Sequence, residues 1–143
     1  MSILSDFKNM FKVTDLKIFE TDYWIWSLRP QQATIGSGVL SLKRYCQDFD
    51  NLEEEEFTDL NNIIKVIEPA LRKSFDYDKI NYLMLMMVDN HIHYHVIPRF
   101  EREIEMFDKK WVDKGWPKLP VLSVEESNIE ELNNIKNFIQ NNL

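Results

Sequence analysis

The chain has 143 residues, 44% of them apolar and 29% charged, with a formal net charge of -7; that length suits one domain with its own core, expected to span residues 1–143. The negative balance argues against nucleic acid as a partner, which needs many lysines and arginines against phosphate, yet a few local cations and backbone N–H groups would hold one small phosphorylated molecule. Charges interrupt every apolar stretch before the roughly 18 residues of a membrane span, so no membrane partner is expected, and the single cysteine, Cys46, permits neither an internal disulfide nor a cysteine-rich zinc site, in keeping with a reducing, cytoplasmic setting.

Met1 to Val13 alternates apolar and polar residues around Asp6, Lys8 and Lys12 and lacks the continuous apolar core of a secretory signal. Lys17 to Leu28 reads as strand material through Phe19, Tyr23, Trp24, Ile25 and Trp26. Trp24 and Trp26 share a face there, placed to stack on a base, to fill an aromatic core or to meet a second subunit. Arg29 to Gly38 holds two of the three glycines, Gly36 and Gly38, and predicts a turn or a close backbone approach before a strand at Val39 to Lys43. The acidic block Glu53 to Glu56 suits the first turn of a helix. Phe57, Leu60, Ile64, Ile67 and Leu71 continue that helix over Leu52 to Ser74, with Pro69 kinking or restarting it. Lys79 to Val88 and His91 to Arg99 form two further strands, joined into a hairpin by a turn at Asp89 and Asn90. Phe100 to Trp116, followed by Pro117 and Pro120, reads as a wrapping loop; Ser123 and Glu126 make a capping box ahead of a helix marked by Ile129, Leu132, Ile135 and Ile139. The expected class is α+β: a mainly antiparallel sheet of about five strands covered by one main helix and a C-terminal helix.

All three histidines of the chain are His91, His93 and His95. A spacing of two on a strand points the three imidazoles to one face and Ile92, Tyr94 and Val96 to the other. One ion for all three is disfavoured, because His91 and His95 stand about 13 Å apart along an extended strand while a zinc ligand comes to about 2 Å. Two histidines with a distant carboxylate remain a possible metal site, and plain packing remains the bland account. The third use is nucleophilic or acid–base chemistry, for which His93, with an imidazole on each side, is the central candidate.

His91-Ile92-His93-Tyr94-His95-Val96-Ile97 resembles the signature of the histidine triad (HIT) superfamily, and the following Pro98-Arg99 is common among its hydrolases. The likeness extends upstream to Gly38-Val39-Leu40-Ser41-Leu42-Lys43-Arg44-Tyr45 and to Asp50-Asn51-Leu52 with its four glutamates. Where larger HIT branches carry a glycine–glutamine pair before the triad, this chain has Met86 and Met87, and it is similar to a short-hairpin branch with an aspartate, here Asp89, just ahead of the histidines. Tyr45 replaces a histidine often found in the basic turn.

The resemblance implies a HIT-like fold and a metal-independent nucleotidyl hydrolase or transferase. Its substrate would be a nucleoside 5′-phosphate joined to a second group, as in a dinucleoside polyphosphate, a nucleotide conjugate or a phosphoramidate. His93 would attack the α-phosphorus to give a nucleotidyl-histidine, and His91 and His95 would orient it and stabilise charge on the phosphate oxygens. Candidate substrate contacts are Lys43, Arg44, Arg99, Gln32, Asn81 and Asp89. The chemistry calls for no cofactor and no metal, and the resemblance implies a homodimer, in the cytoplasmic setting expected from the composition. The alternatives are a nucleotide-binding module with little turnover and a two-histidine metal-dependent enzyme.

Overall fold

The computed structural model describes residues 2–143; Met1, first in the alternating N-terminal stretch, lies outside the described residues. In chain order the elements are α1 (Ile3–Met10), β1 (Lys17–Glu20), β2 (Trp24–Leu28), β3 (Gly38–Leu42), a 3-10 turn (Phe49–Asn51), α2 (Glu54–Phe75), β4 (Lys79–Leu83), β5 (His93–Arg99), β6 (Ile104–Met106), β7 (Lys109–Trp111) and α3 (Ile129–Gln140). The main sheet has five strands in the order β1-β2-β3-β5-β4, every neighbouring pair antiparallel. This is the expected α+β architecture, with the histidine strand as the second arm of a hairpin.

Several boundaries differ from the sequence reading, each for a local reason. Lys17 to Leu28 is two strands rather than one. The break falls at Thr21 to Tyr23, where the Asp59 carboxylate accepts from the Thr21 hydroxyl at 2.7 Å and from the Tyr23 backbone N–H at 2.8 Å. β4 stops at Leu83 and pairs it with His95, so Asp89 and Asn90 belong to a longer connection over residues 84–92. That register is one residue away from what a two-residue turn at Asp89 and Asn90 would impose, and Met86 in the connection adopts a left-handed φ of 53°.

α2 opens as expected on its acidic block, with Glu53 as N-cap in a reciprocal capping box with Glu56. It runs unbroken through Pro69. Pro69 is on the exposed side of the helix, where water can replace the hydrogen bond that its missing N–H removes. The buried stripe includes Ile63, Ile67, Ala70, Leu71 and Phe75, while Phe57 stays exposed against Phe49. α3 is capped by Asn128, whose side chain accepts from the Glu131 N–H at 2.8 Å, rather than by Ser123 and Glu126. β6 and β7 form a small two-stranded sheet inside the segment read as a loop.

The sheet separates two apolar layers. Trp24, Trp26, Leu40, Leu42, Ile92 and Val96 join Ile63, Ile67 and Leu71 of α2 and Leu132, Ile135 and Ile139 of α3 in the main core. Trp24 and Trp26 are fully buried there, and the Trp24 indole N–H donates to the Glu56 carbonyl at 2.8 Å; of their three possible uses, core packing is the one observed. Gly38 is the expected close approach, since a Cβ on it would stand 2.9 Å from Trp26 Nε1. Gly36 has a φ of +89° that favours glycine. On the opposite face a smaller cluster gathers Phe7, Phe11, Val13, Ile25 and Val39. That second face is the one the histidines occupy.

Candidate active site

Strand pairing builds the site. His93 lies opposite Ser41 and His95 opposite Val39 on β3, and Val39 in turn lies opposite Ser27 on β2. Directly paired residues share a face, so the row of imidazoles, Val39 and Ser27 all lie under α1. His91 precedes the first residue of β5 and keeps the same side. Phe7 sets its ring centroid 5.0 Å from that of His91 and 4.9 Å from that of His93, and Phe11 stands 5.9 Å from both His93 and His95. Under this cover His91, His93 and His95 are 0%, 2% and 6% exposed.

The hydrogen bonds assign the tautomers. The Cys46 backbone N–H donates to His91 Nδ1 at 3.3 Å, so the proton of this neutral ring is on Nε2, which donates to the Leu42 carbonyl at 2.7 Å. Both nitrogens of His91 are thereby occupied, and Tyr45 stacks on its ring at 5.8 Å. For His93, Nδ1 lies 2.5 Å from the His91 carbonyl. A carbonyl only accepts, so Nδ1 carries the proton and Nε2 keeps a free lone pair. His95 Nδ1 is buried with no partner among the described residues.

Burial is the main force on all three protonation equilibria. It pushes His91 and His93 below the ordinary histidine value and, with the charges of Arg29 and His93, pushes His95 down to about 3. Neutral imidazoles are therefore the resting form at neutral pH. In the unfolded chain the same rings take up protons near pH 6.5 while the folded ones do not, so the stabilisation is present above that pH and is lost as pH falls through it. At about 1.4 kcal/mol per pH unit per group, His95 alone should remove about 1 kcal/mol of unfolding free energy between pH 7 and 5.5. Urea titrations at the two pH values test this, and a His95→Gln variant should lose less; equal losses in the two proteins would contradict it.

The other sequence candidates are distributed around this row. Asn81 on β4 and Arg99 at the end of β5 bond to each other, Arg99 Nη1 donating to Asn81 Oδ1 at 2.8 Å. Arg99 is 4% exposed and forms a two-point ion pair with Asp113, through Nε at 2.7 Å and Nη2 at 3.1 Å. Gln32 is buried in the turn before β3, donating to the carbonyls of Arg29 and Ser37 and accepting from the Gly36 N–H. Lys43 reaches Glu20 at 3.7 Å beyond the end of β3, and Arg44 grips the buried Glu56 carboxylate with two hydrogen bonds. Asp89 is half-buried in the connection before β5, where its charge acts on His93 and Arg29. Phe7, Phe11, Arg29 and Asp113 are the site-lining or site-bracing residues that the sequence reading did not single out. Only Arg29 had a signal in the sequence, the period-two series Ile25, Ser27, Arg29. Among the described residues no group of three or more histidine, cysteine, aspartate or glutamate side chains converges as a metal site, and no helix is long and apolar enough to cross a membrane.

The HIT domain family model matches residues 14–102. No curated protein matches the chain at a significant level. Among solved structures, a histidine triad protein from Sinorhizobium meliloti is 21% identical with a TM-score of 0.71, over 92% of this chain and 93% of its own. A histidine triad nucleotide-binding protein from Sulfolobus tokodaii is 16% identical with a TM-score of 0.69, over 89% and 82% of the two chains. The diadenosine triphosphate hydrolase of Plasmodium falciparum is 15% identical with a TM-score of 0.66, over 89% of this chain and 75% of its own. At these identities the structural likeness establishes the fold.

Proposed function

This chain belongs to the HIT domain family, and from that premise we propose that it is a metal-independent nucleotidyl hydrolase or transferase with His93 as its nucleophile. The observation that carries the reading is the bond between His93 Nδ1 and the His91 carbonyl, which leaves the Nε2 lone pair free. That pair would attack the α-phosphorus of a nucleoside 5′-phosphate derivative. The bond to the leaving oxygen breaks with its electrons, and water then cleaves the phosphorus–nitrogen bond to release the nucleoside monophosphate and restore the neutral ring. His91 holds the carbonyl that fixes the tautomer, and His95 supports charge on the phosphate oxygens. Asp89 beside His93, together with Asn81, Lys43 and Arg99 nearer the edges of the face and Gln32 in the turn before β3, is assigned to substrate contacts. A cytoplasmic homodimer is part of the same reading, and the exposed Leu85, Met87 and Val88 beside edge strand β4 support the dimer.

A binding module with little turnover is the second reading, favoured by the near-complete burial of the triad under Phe7 and Phe11. A fluorogenic adenylyl ester separates the two. Release of the fluorophore that persists in a chelator supports the enzyme; AMP binding without release supports the module; release that stops with chelator and returns with one divalent ion would put a two-histidine metal enzyme in place of both.

A further inference from the structure

The triad face holds a buried cation that the chemistry above leaves without a role. Along β2 the side chains of Trp24 and Trp26 enter the main core, whereas Ile25 packs with Phe7, Phe11 and Val39 on the other side. The same alternation carries Ser27 and, just beyond the strand, Arg29 to the triad face. Arg29 is 8% exposed. Its backbone N–H extends the pairing with β3 by donating to the Ser37 carbonyl at 2.9 Å. Its Nη1 donates to the carbonyls of Gln31 and Leu122, each at 3.0 Å. These bonds fix the guanidinium but leave Nε, also buried, with no partner among the described residues.

Ser27 Oγ and His95 Nδ1 on the same face are buried and unpartnered too. Buried polar atoms are nearly always paired; of the four without a partner among the described residues, Trp26 Nε1 lies in the main core and the other three share the triad face, which marks that face as a place where polar groups come from outside the chain. Arg29 stands close enough to the row for its charge to help keep both His93 and His95 neutral. Burial also lowers its own hold on the proton, opposed by the charge of Asp89. An arginine serving structure alone would meet a carboxylate, as Arg99 meets Asp113 and Arg44 meets Glu56. Arg29 instead has two neutral carbonyls and a free donor.

We propose that Arg29 is a phosphate-binding catalytic residue that donates its Nε–H to a non-bridging oxygen of the phosphate attacked by His93, with His95 as the neighbouring donor. This rests on the nucleotidyl-transfer reading. A guanidinium in a water-poor site meets a phosphate oxygen with a charge-assisted bond, and it offsets the negative charge that gathers on that oxygen as the new bond forms.

The test compares AMP with adenosine, by calorimetry, in wild type, R29M and R29K, alongside turnover of the adenylyl ester. Wild type should prefer AMP by at least about tenfold, as a charge-assisted contact implies. R29M should bind the two ligands equally, with adenosine affinity unchanged and kcat down by about 100-fold, whereas R29K should recover part of the AMP preference. An R29M protein that still prefers AMP would overturn the assignment while leaving the nucleotidyl reading standing on wild-type turnover. If R29M loses adenosine binding as well, R29K decides: full wild-type preference and kcat with lysine would overturn the Nε–H role, and a partial preference would support it. Wild type that neither prefers AMP nor turns over the ester would sink the nucleotidyl reading, and Arg29's role with it.

Discussion

Replacing His93 with asparagine is expected to lower kcat by at least about 10^4-fold, as removal of a nucleophile does elsewhere, while AMP affinity stays within about tenfold because ground-state contacts remain. The reason lies in one nitrogen. His93 Nδ1 is committed to the His91 carbonyl, so Nε2 alone is available to form the new bond, and asparagine offers no lone pair at that reach. Its neighbours cannot substitute. Both nitrogens of His91 are engaged with Leu42 and Cys46, and His95 is pushed down to about 3 by burial and by the charges of Arg29 and His93, which makes it a poor base. Single-turnover assays with the adenylyl ester give the rate, and calorimetry gives the affinity. Near-normal turnover in His93→Asn would move the nucleophile elsewhere.

Asp113→Ala is expected to lower unfolding free energy by about 3–5 kcal/mol, the range for breaking a buried ion pair from one side. The Asp113 carboxylate accepts from Arg99 Nε and Nη2 and from the backbone N–H groups of Phe100 and Gly115. Without it the buried Arg99 guanidinium is left with Asn81 Oδ1, and the chain after β5 loses its tie to residue 113. Urea unfolding followed by tryptophan fluorescence measures the loss, and Asp113→Asn should be milder because it still accepts hydrogen bonds. A loss below 1 kcal/mol in the alanine variant would mean that solvent reaches Arg99 and that the pair is marginal.

The legible parts of this chain were those with a period. The histidine run fixed a strand face, the apolar stripe fixed α2 and α3, and the glycines at 36 and 38 marked the turn before β3. What escaped depended on partners distant along the chain. The break between β1 and β2 is set by Asp59, and the tautomers of His91 and His93 depend on Leu42 and Cys46 and on the main chain of the triad itself. α1 escaped for another reason. Its eight residues bury Phe7, with Phe11 four positions on at the C-cap, and two anchors do not distinguish a helix from an alternating segment. β6 and β7 have three residues each, too few for alternation to register. Arg99 shows what charge alone does not convey: the sequence proposes a cation for phosphate, and the fold also pairs that cation with Asp113.

For the proposed His93 site, the seat of α1 on the imidazoles would make affinity depend on an equilibrium that precedes contact. With His93 2% exposed beneath Phe7 and Phe11, a nucleotide bound as proposed would engage only those molecules in which the two rings stand clear, and its apparent dissociation constant would be the intrinsic one divided by that open fraction. Each 1.4 kcal/mol by which the closed arrangement is favoured weakens apparent binding about tenfold. A change in how firmly α1 is seated, even at the exposed Lys12–Glu126 pair that follows it, would therefore retune binding at that site without altering any group that touches the ligand.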